Sequence, residues 1–91
     1  MGRASRRKQK RLAEKLLQIR LALGLSQDGM LRRLGLADDL YRTNISSYER
    51  GEREPPLFAL LEYARVASIS TDILIDDKRD LPARLTKRAR R

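Results

Sequence analysis

Ile45-Ser46-Ser47-Tyr48-Glu49-Arg50-Gly51, followed by Glu52-Arg53-Glu54-Pro55-Pro56, is the stretch whose reading decides the rest of the chain. Gly51 stands just past the last periodic residue and reads as a helix C-cap, and the prolines after it cannot continue a helix. The stretch is therefore the end of a short helix and the turn that follows it. The residues before the stop are small and polar: Thr43, Asn44, Ser46 and Ser47. A buried structural helix would carry more apolar side chains there. Two readings remain: a solvated surface helix, or a helix that presses against a polar surface.

Upstream, Leu12, Leu16, Ile19 and Leu23 share one helical stripe, widened by Leu17 and Leu21. This predicts a first helix from about Lys8 to Gly24. Ser26 is placed to N-cap a second helix from Gln27 to about Leu34, with Asp28 in its first turn. Met30, Leu31 and Leu34 form its buried face, and Gly35 ends it. Between Leu36 and Tyr41 the sequence allows two solutions. Asp38 and Asp39 are candidate N-caps for a third helix starting near Asp39, with Tyr41, Ile45 and Tyr48 as its stripe. Alternatively the helix starts only at Arg42, after a loop. Downstream, Pro56 suits the first position of a fourth helix carrying Leu57, Leu60, Leu61, Ala64 and Ala67. Ser70 caps a short fifth helix with Ile73, Leu74 and Ile75. No strand pattern and no repeat interrupts this series, which predicts an all-α, compact five-helix domain.

Charge is unevenly spread. The 91 residues carry a net charge of +9. Residues 1–11 hold six Lys/Arg and no acid, and residues 78–91 hold seven Lys/Arg and one Asp. Residues 12–77 hold eight Lys/Arg against eleven Asp/Glu, a net of −3. The expected organisation is a basic N-terminal arm (1–11), a slightly acidic folded domain (12–77) and a basic C-terminal tail (78–91). Basic arms point to polyanions, most often nucleic acid, or serve solubility alone. Leu81 and Leu85 in the tail are either a partner-binding stripe or spacing in a flexible arm. The chain has neither Cys nor His. Zinc, haem and the usual general base are disfavoured, no Gly-rich phosphate loop is present, and an enzyme is not expected. No membrane span, signal peptide, cofactor, metal site or small-molecule ligand is expected, and the chain reads as cytoplasmic. Four aromatic residues are few for a stacking-based binder of single strands or RNA.

The order Gly24-Leu25-Ser26-Gln27, Leu34-Gly35, Ile45-Ser46, Tyr48-Glu49-Arg50-Gly51, Pro56, Leu60, Ala64 and Ser70-Thr71-Asp72-Ile73-Leu74 resembles the Cro/repressor-type (XRE) helix-turn-helix family over roughly residues 12–77. The resemblance implies a lambda-repressor-like fold. It places Gln27 on a backbone phosphate of double-stranded DNA, and the helix ending at Arg50 in the major groove as the recognition helix. Arg42, Thr43, Asn44, Ser46 and Ser47 become the candidate base- or phosphate-facing residues, with Arg42 suited to bidentate pairing with guanine. Arg50 to Arg53 match the family's phosphate-contacting loop. Arg20 and Glu49 match positions that form an ion pair between the first and third helices. The implied function is sequence-specific DNA binding as a transcriptional regulator, with repression the simplest mode. The alternative is an adaptor or antitoxin-like protein-interaction module on the same fold. A homodimer is implied by the family, and its candidate surface here is the fifth helix, with Ile73, Leu74, Ile75 and Leu81. The sequence departs from the family pattern in three places. The connection between Gly35 and Ile45 is about four residues longer, close to one helical turn. Leu31 stands where the family usually has Ala. Asp38 and Asp39 bring negative charge near the expected phosphates.

Overall fold

Leu12, Leu16 and Ile19 lie on one face of the first helix, and the other helices assemble against that face. The computed structural model describes residues 8–85. Among them are five helices: α1 (Leu12–Ala22), α2 (Gln27–Leu34), α3 (Arg42–Glu49), α4 (Leu57–Ala67) and α5 (Thr71–Ile75). α1 packs on α3 and α5, α2 on α3 and α4, and α4 on α5. Leu16, Ile19, Met30, Ile45, Tyr63 and Leu74 are fully enclosed where these faces meet.

The start of α1 differs from the sequence reading. It begins at Leu12, not at Lys8, and no side chain near it in sequence caps it. The acceptor comes from the far end of the domain. The Asp77 carboxylate accepts the backbone N–H groups of Lys10 (2.9 Å) and Arg11 (3.0 Å). The return contact runs from α1 to α5. Lys15 is completely buried in the apolar stripe. Its ammonium donates to the carbonyls of Ile73 (2.7 Å) and Asp76 (2.9 Å), which the end of α5 leaves without helical partners. Each helix thus receives its cap from the other's neighbourhood. Burial, then nearby Arg11, lowers the Lys15 pKa from its ordinary value.

The two N–H donors hold the Asp77 carboxyl below the usual carboxylate value. A depressed folded-state pKa gives stability that is complete above the unfolded value and lost as pH falls through the folded one. The melting temperature of the parent should therefore exceed that of Asp77→Asn at neutral pH. The gap should close below about pH 4, where the unfolded carboxyl titrates. A gap that stays constant down to pH 2 would remove the charged carboxylate from the account.

α2 keeps its expected limits because both its ends are local. Ser26 Oγ accepts the Gly29 N–H at 2.9 Å, and Gly35 takes φ of 75°, a left-handed conformation that suits glycine. α3 begins at Arg42, the second of the two solutions, and the long connection before it is a loop built around its own turn. The Asp39 and Leu40 N–H groups both donate to the Leu36 carbonyl at 2.9 Å, making one separate hydrogen-bonded turn. Leu36 is buried and Leu40 is half-buried against the core, so the added residues are anchored. α3 starts after this turn, with Tyr41 at its N-cap. Asp38 and Asp39 are exposed and cap nothing. Tyr41 has extended backbone, so the helical spacing that grouped it with Ile45 and Tyr48 does not hold, and the residue is 76% exposed.

α4 also turns differently. Pro56 is its N-cap, not its first helical residue. Its buried face is Ala59, Tyr63, Ala64 and Ala67, and small residues there let neighbouring helices approach closely. Leu57 and Leu61, expected in the stripe, are 84% and 41% exposed. In α1, Leu21 likewise faces outward.

The C-terminal segment is not a free tail as far as it is described. Leu85 is buried in the core and Leu81 packs against it. Arg11 donates to the carbonyls of Asp77 and Arg79 and pairs with Asp80 at 2.8 Å. The folded unit therefore extends beyond residue 77 to at least Leu85. In the surface suggested for dimers, Leu74 is fully buried and serves the core.

Candidate nucleic-acid interface

α3 is an eight-residue helix with two unlike faces. Ile45 and Tyr48 point inward and are buried. Arg42 and Thr43 are exposed, and Asn44, Ser46 and Ser47 are half-buried. At the C-terminal end, Gly51 takes φ of 74°, where a side chain would be strained. A Cβ there would sit 3.6 Å from that of Ala13, so the loop after α3 lies close against α1.

The helix is held by one polar cluster. Arg20 Nε donates to Glu49 Oε2 at 2.7 Å and Nη2 to Oε1 at 3.0 Å, a bidentate pair joining α1 to α3. Arg20 Nη1 donates to the Leu25 carbonyl at 3.0 Å, which fixes the turn before α2. The pair's side chains are only 14% and 5% exposed. The hydrogen bonds to Glu49 raise the Arg20 pKa, against the opposing effect of burial. Tyr63 lies under this cluster. Burial, then the charge of Glu49, raises its phenol above the ordinary value, and its hydroxyl has no hydrogen-bond partner among the described residues.

Several candidate residues are already engaged within the protein. Gln27 Nε2 donates to Glu49 Oε1 at 3.1 Å, so one of its two amide hydrogens serves the cluster and the second remains. Asn44 Oδ1 accepts the Tyr41 N–H at 2.8 Å, a capping role that the candidate set did not include. Arg42 Nε lies 3.8 Å from Asp28 on α2. Arg50 forms two hydrogen bonds to Glu52, at 2.9 and 2.8 Å, and a third to Ser46 Oγ. That contact with Glu52 raises the Arg50 pKa and lowers that of Glu52. These exposed pairs are weak and rearrange at little cost. Among the described residues, Arg53 pairs with no carboxylate.

Over residues 27–54, the exposed charges balance. Arg32, Arg33, Arg42, Arg50 and Arg53 stand against Asp28, Asp38, Asp39, Glu52 and Glu54. The face itself therefore exerts little long-range pull on a polyanion. The N-terminal arm lies close by: a small hollow brings Lys8 and Gln9 beside Gly51 and Arg53. Among the described residues, no three of His, Cys, Asp and Glu form a metal-binding group. No helix there is long and apolar enough to cross a membrane.

The sequence reading missed Lys15, and it took Asp77 for a helix-capping residue without finding its partners at the start of α1. Lys15 did leave a signal, since it falls three residues after Leu12 and four before Ile19, inside the apolar stripe. The partners of Asp77 left none, because they are 66 and 67 residues away. Comparison with protein-family models, with curated proteins and with solved structures gives no match for this chain.

Proposed function

We propose that the chain binds double-stranded DNA as a helix-turn-helix transcriptional regulator of the lambda-repressor-like type, with α3 as its reading helix. The observation that carries this is the make-up of α3: a short helix with a polar outer face, Arg42 and Arg50 at its two ends, and its base locked by Arg20 and Glu49. Eight residues of helix span about 12 Å, comparable to the width of the major groove. Thr43, Ser46 and Ser47 are short enough to let the backbone approach base edges. Gln27, with its remaining amide hydrogen, and Arg53 serve as phosphate contacts that set register. Arg42 exchanges its loose contact with Asp28 for a base.

Selection of binding sites from random duplexes tests the reading, and two substitutions then assign roles. Arg42→Ala should relax preference at one base position, at a cost of ~1–3 kcal/mol for the cognate site. Arg53→Ala should weaken all sequences about equally. If Arg42→Ala instead weakens cognate and scrambled duplexes by the same factor, Arg42 is a phosphate contact.

A second reading is a protein-interaction module. It is favoured by the balanced charge of the α2–α3 face and by Leu57, Phe58 and Leu61 exposed along α4. Failure to bind any duplex at low salt would select it.

A further inference from the structure

We propose that Asp77 is a positioning residue for DNA: it fixes the root of the basic N-terminal arm against the loop after α3, so that Lys8 and Arg53 together hold neighbouring phosphates. The proposal rests on the DNA-binding reading above.

Asp77 grips the main chain of Lys10 and Arg11, not their side chains. The direction in which the arm leaves the domain is thus set two residues before α1 begins. Arg11 tightens the same clasp through the carbonyls of Asp77 and Arg79 and the carboxylate of Asp80. That use occupies its guanidinium, so Arg11 is part of the clasp and not a phosphate contact. Just beyond the clasp, Lys8 is exposed and shares a hollow with Gly51 and Arg53. Glu54 lines that hollow too, and its charge opposes an anion there. Two cations from separate parts of the chain outweigh it only while both are held in place. A duplex whose groove receives α3 runs its backbone past the end of that helix, where Lys8 and Arg53 stand. With the clasp open, Lys8 would have to be ordered at the moment of binding, at an entropic cost.

The proposal predicts a sign opposite to that of simple charge. Removing a carboxylate from a polyanion binder should strengthen binding. Asp77→Ala is expected to weaken it instead, by about fivefold, with a salt slope shallower by about 0.9, the share of one phosphate contact. Lys8→Gln should weaken binding similarly. Because Asp77 acts through Lys8, the double variant should be little worse than either single one. Affinities of the parent and the three variants for one selected duplex, measured at several salt concentrations, decide the matter. Circular dichroism reports whether each variant is folded. Should Asp77→Ala not fold, Asp77→Asn replaces it and is expected to show the same direction of change. Tighter or unchanged binding by the Asp77 variant overturns the proposal, and so does a double variant that loses the product of the two single effects. In those cases the DNA-binding reading stands, because the parent binds. A parent that binds no duplex at low salt overturns that reading, and this proposal with it.

Discussion

Glu49→Ala is expected to destabilise the domain by about 3 kcal/mol, the low end of the cost of breaking a buried pair. The substitution leaves Arg20 charged, since a guanidinium does not deprotonate in proteins. Three of its hydrogen bonds reach from α1 to other elements, two to Glu49 and one to the Leu25 carbonyl. Only the last survives. Gln27 loses its acceptor as well. The Arg20 side chain keeps 14% exposure, which lets water recover part of the loss and sets the value at the low end. A domain of this size is held by roughly 5–10 kcal/mol, so about 3 is a large share. Melting should fall by roughly 12–24 °C. Replacing both partners with apolar residues should cost far less, because no charge is stranded. Thermal unfolding of the two variants checks this, and a Glu49→Ala protein that melts with the parent would show that the pair contributes nothing.

Trimming the basic ends should cost the most affinity for DNA. Within the proposed function, the balanced charge of the α2–α3 face leaves long-range attraction to the rest of the chain. The trim has to respect the folded boundary. A cut to residues 12–77 would take away Arg11 and Leu85, and so break the clasp and open the core. Removing only residues 1–7 and 86–91 deletes Arg3, Arg6, Arg7, Lys87, Arg88, Arg90 and Arg91 and spares both. Those positions lie outside the described residues, and the expectation for them rests on charge alone. If about half of them neutralise phosphates, the slope of log affinity against log salt should become shallower by about 3. Non-specific binding should weaken strongly, while the ranking of preferred sequences survives. Titrating both proteins against one duplex at several salt concentrations measures this, and equal slopes would take the ends out of the binding mechanism.

What could be read from the sequence follows a physical rule. The limits of α2 and the stop after α3 were legible because Ser26, Gly35 and Gly51 act on backbone groups within a few residues of themselves. The core positions Leu12, Leu16, Ile19, Met30, Leu31, Leu34, Ile45 and Tyr48 were legible from helical spacing. Spacing failed where two stripes were possible. In α4 it gave Leu57, Leu60, Leu61, Ala64 and Ala67; Ala64 and Ala67 are buried, but Ala59 and Tyr63, which also repeat at four residues, take the inward places expected of Leu57 and Leu61. The neighbours of α4 made the choice, admitting the face with the small residues.

The sequence by itself determined that the described residues form a series of short helices, that Ser26 and Gly35 bound α2, and that α3 carries a polar face ending in a left-handed glycine. Only the tertiary structure decided that Lys15 is buried, that Asp77 ties down the start of α1, and that Leu85 completes the core. Lys15 falls inside the apolar stripe, but its burial depends on its ammonium meeting two carbonyls 58 and 61 residues away. A buried cation is tolerated only where such acceptors are supplied, and their placement depends on how the helices stack. The same holds for the candidate interface. The resemblance singled out Gln27, Arg42 and Arg50, but their partners Glu49, Asp28 and Glu52 follow from the packing of α1, α2 and α3 and the loop after α3.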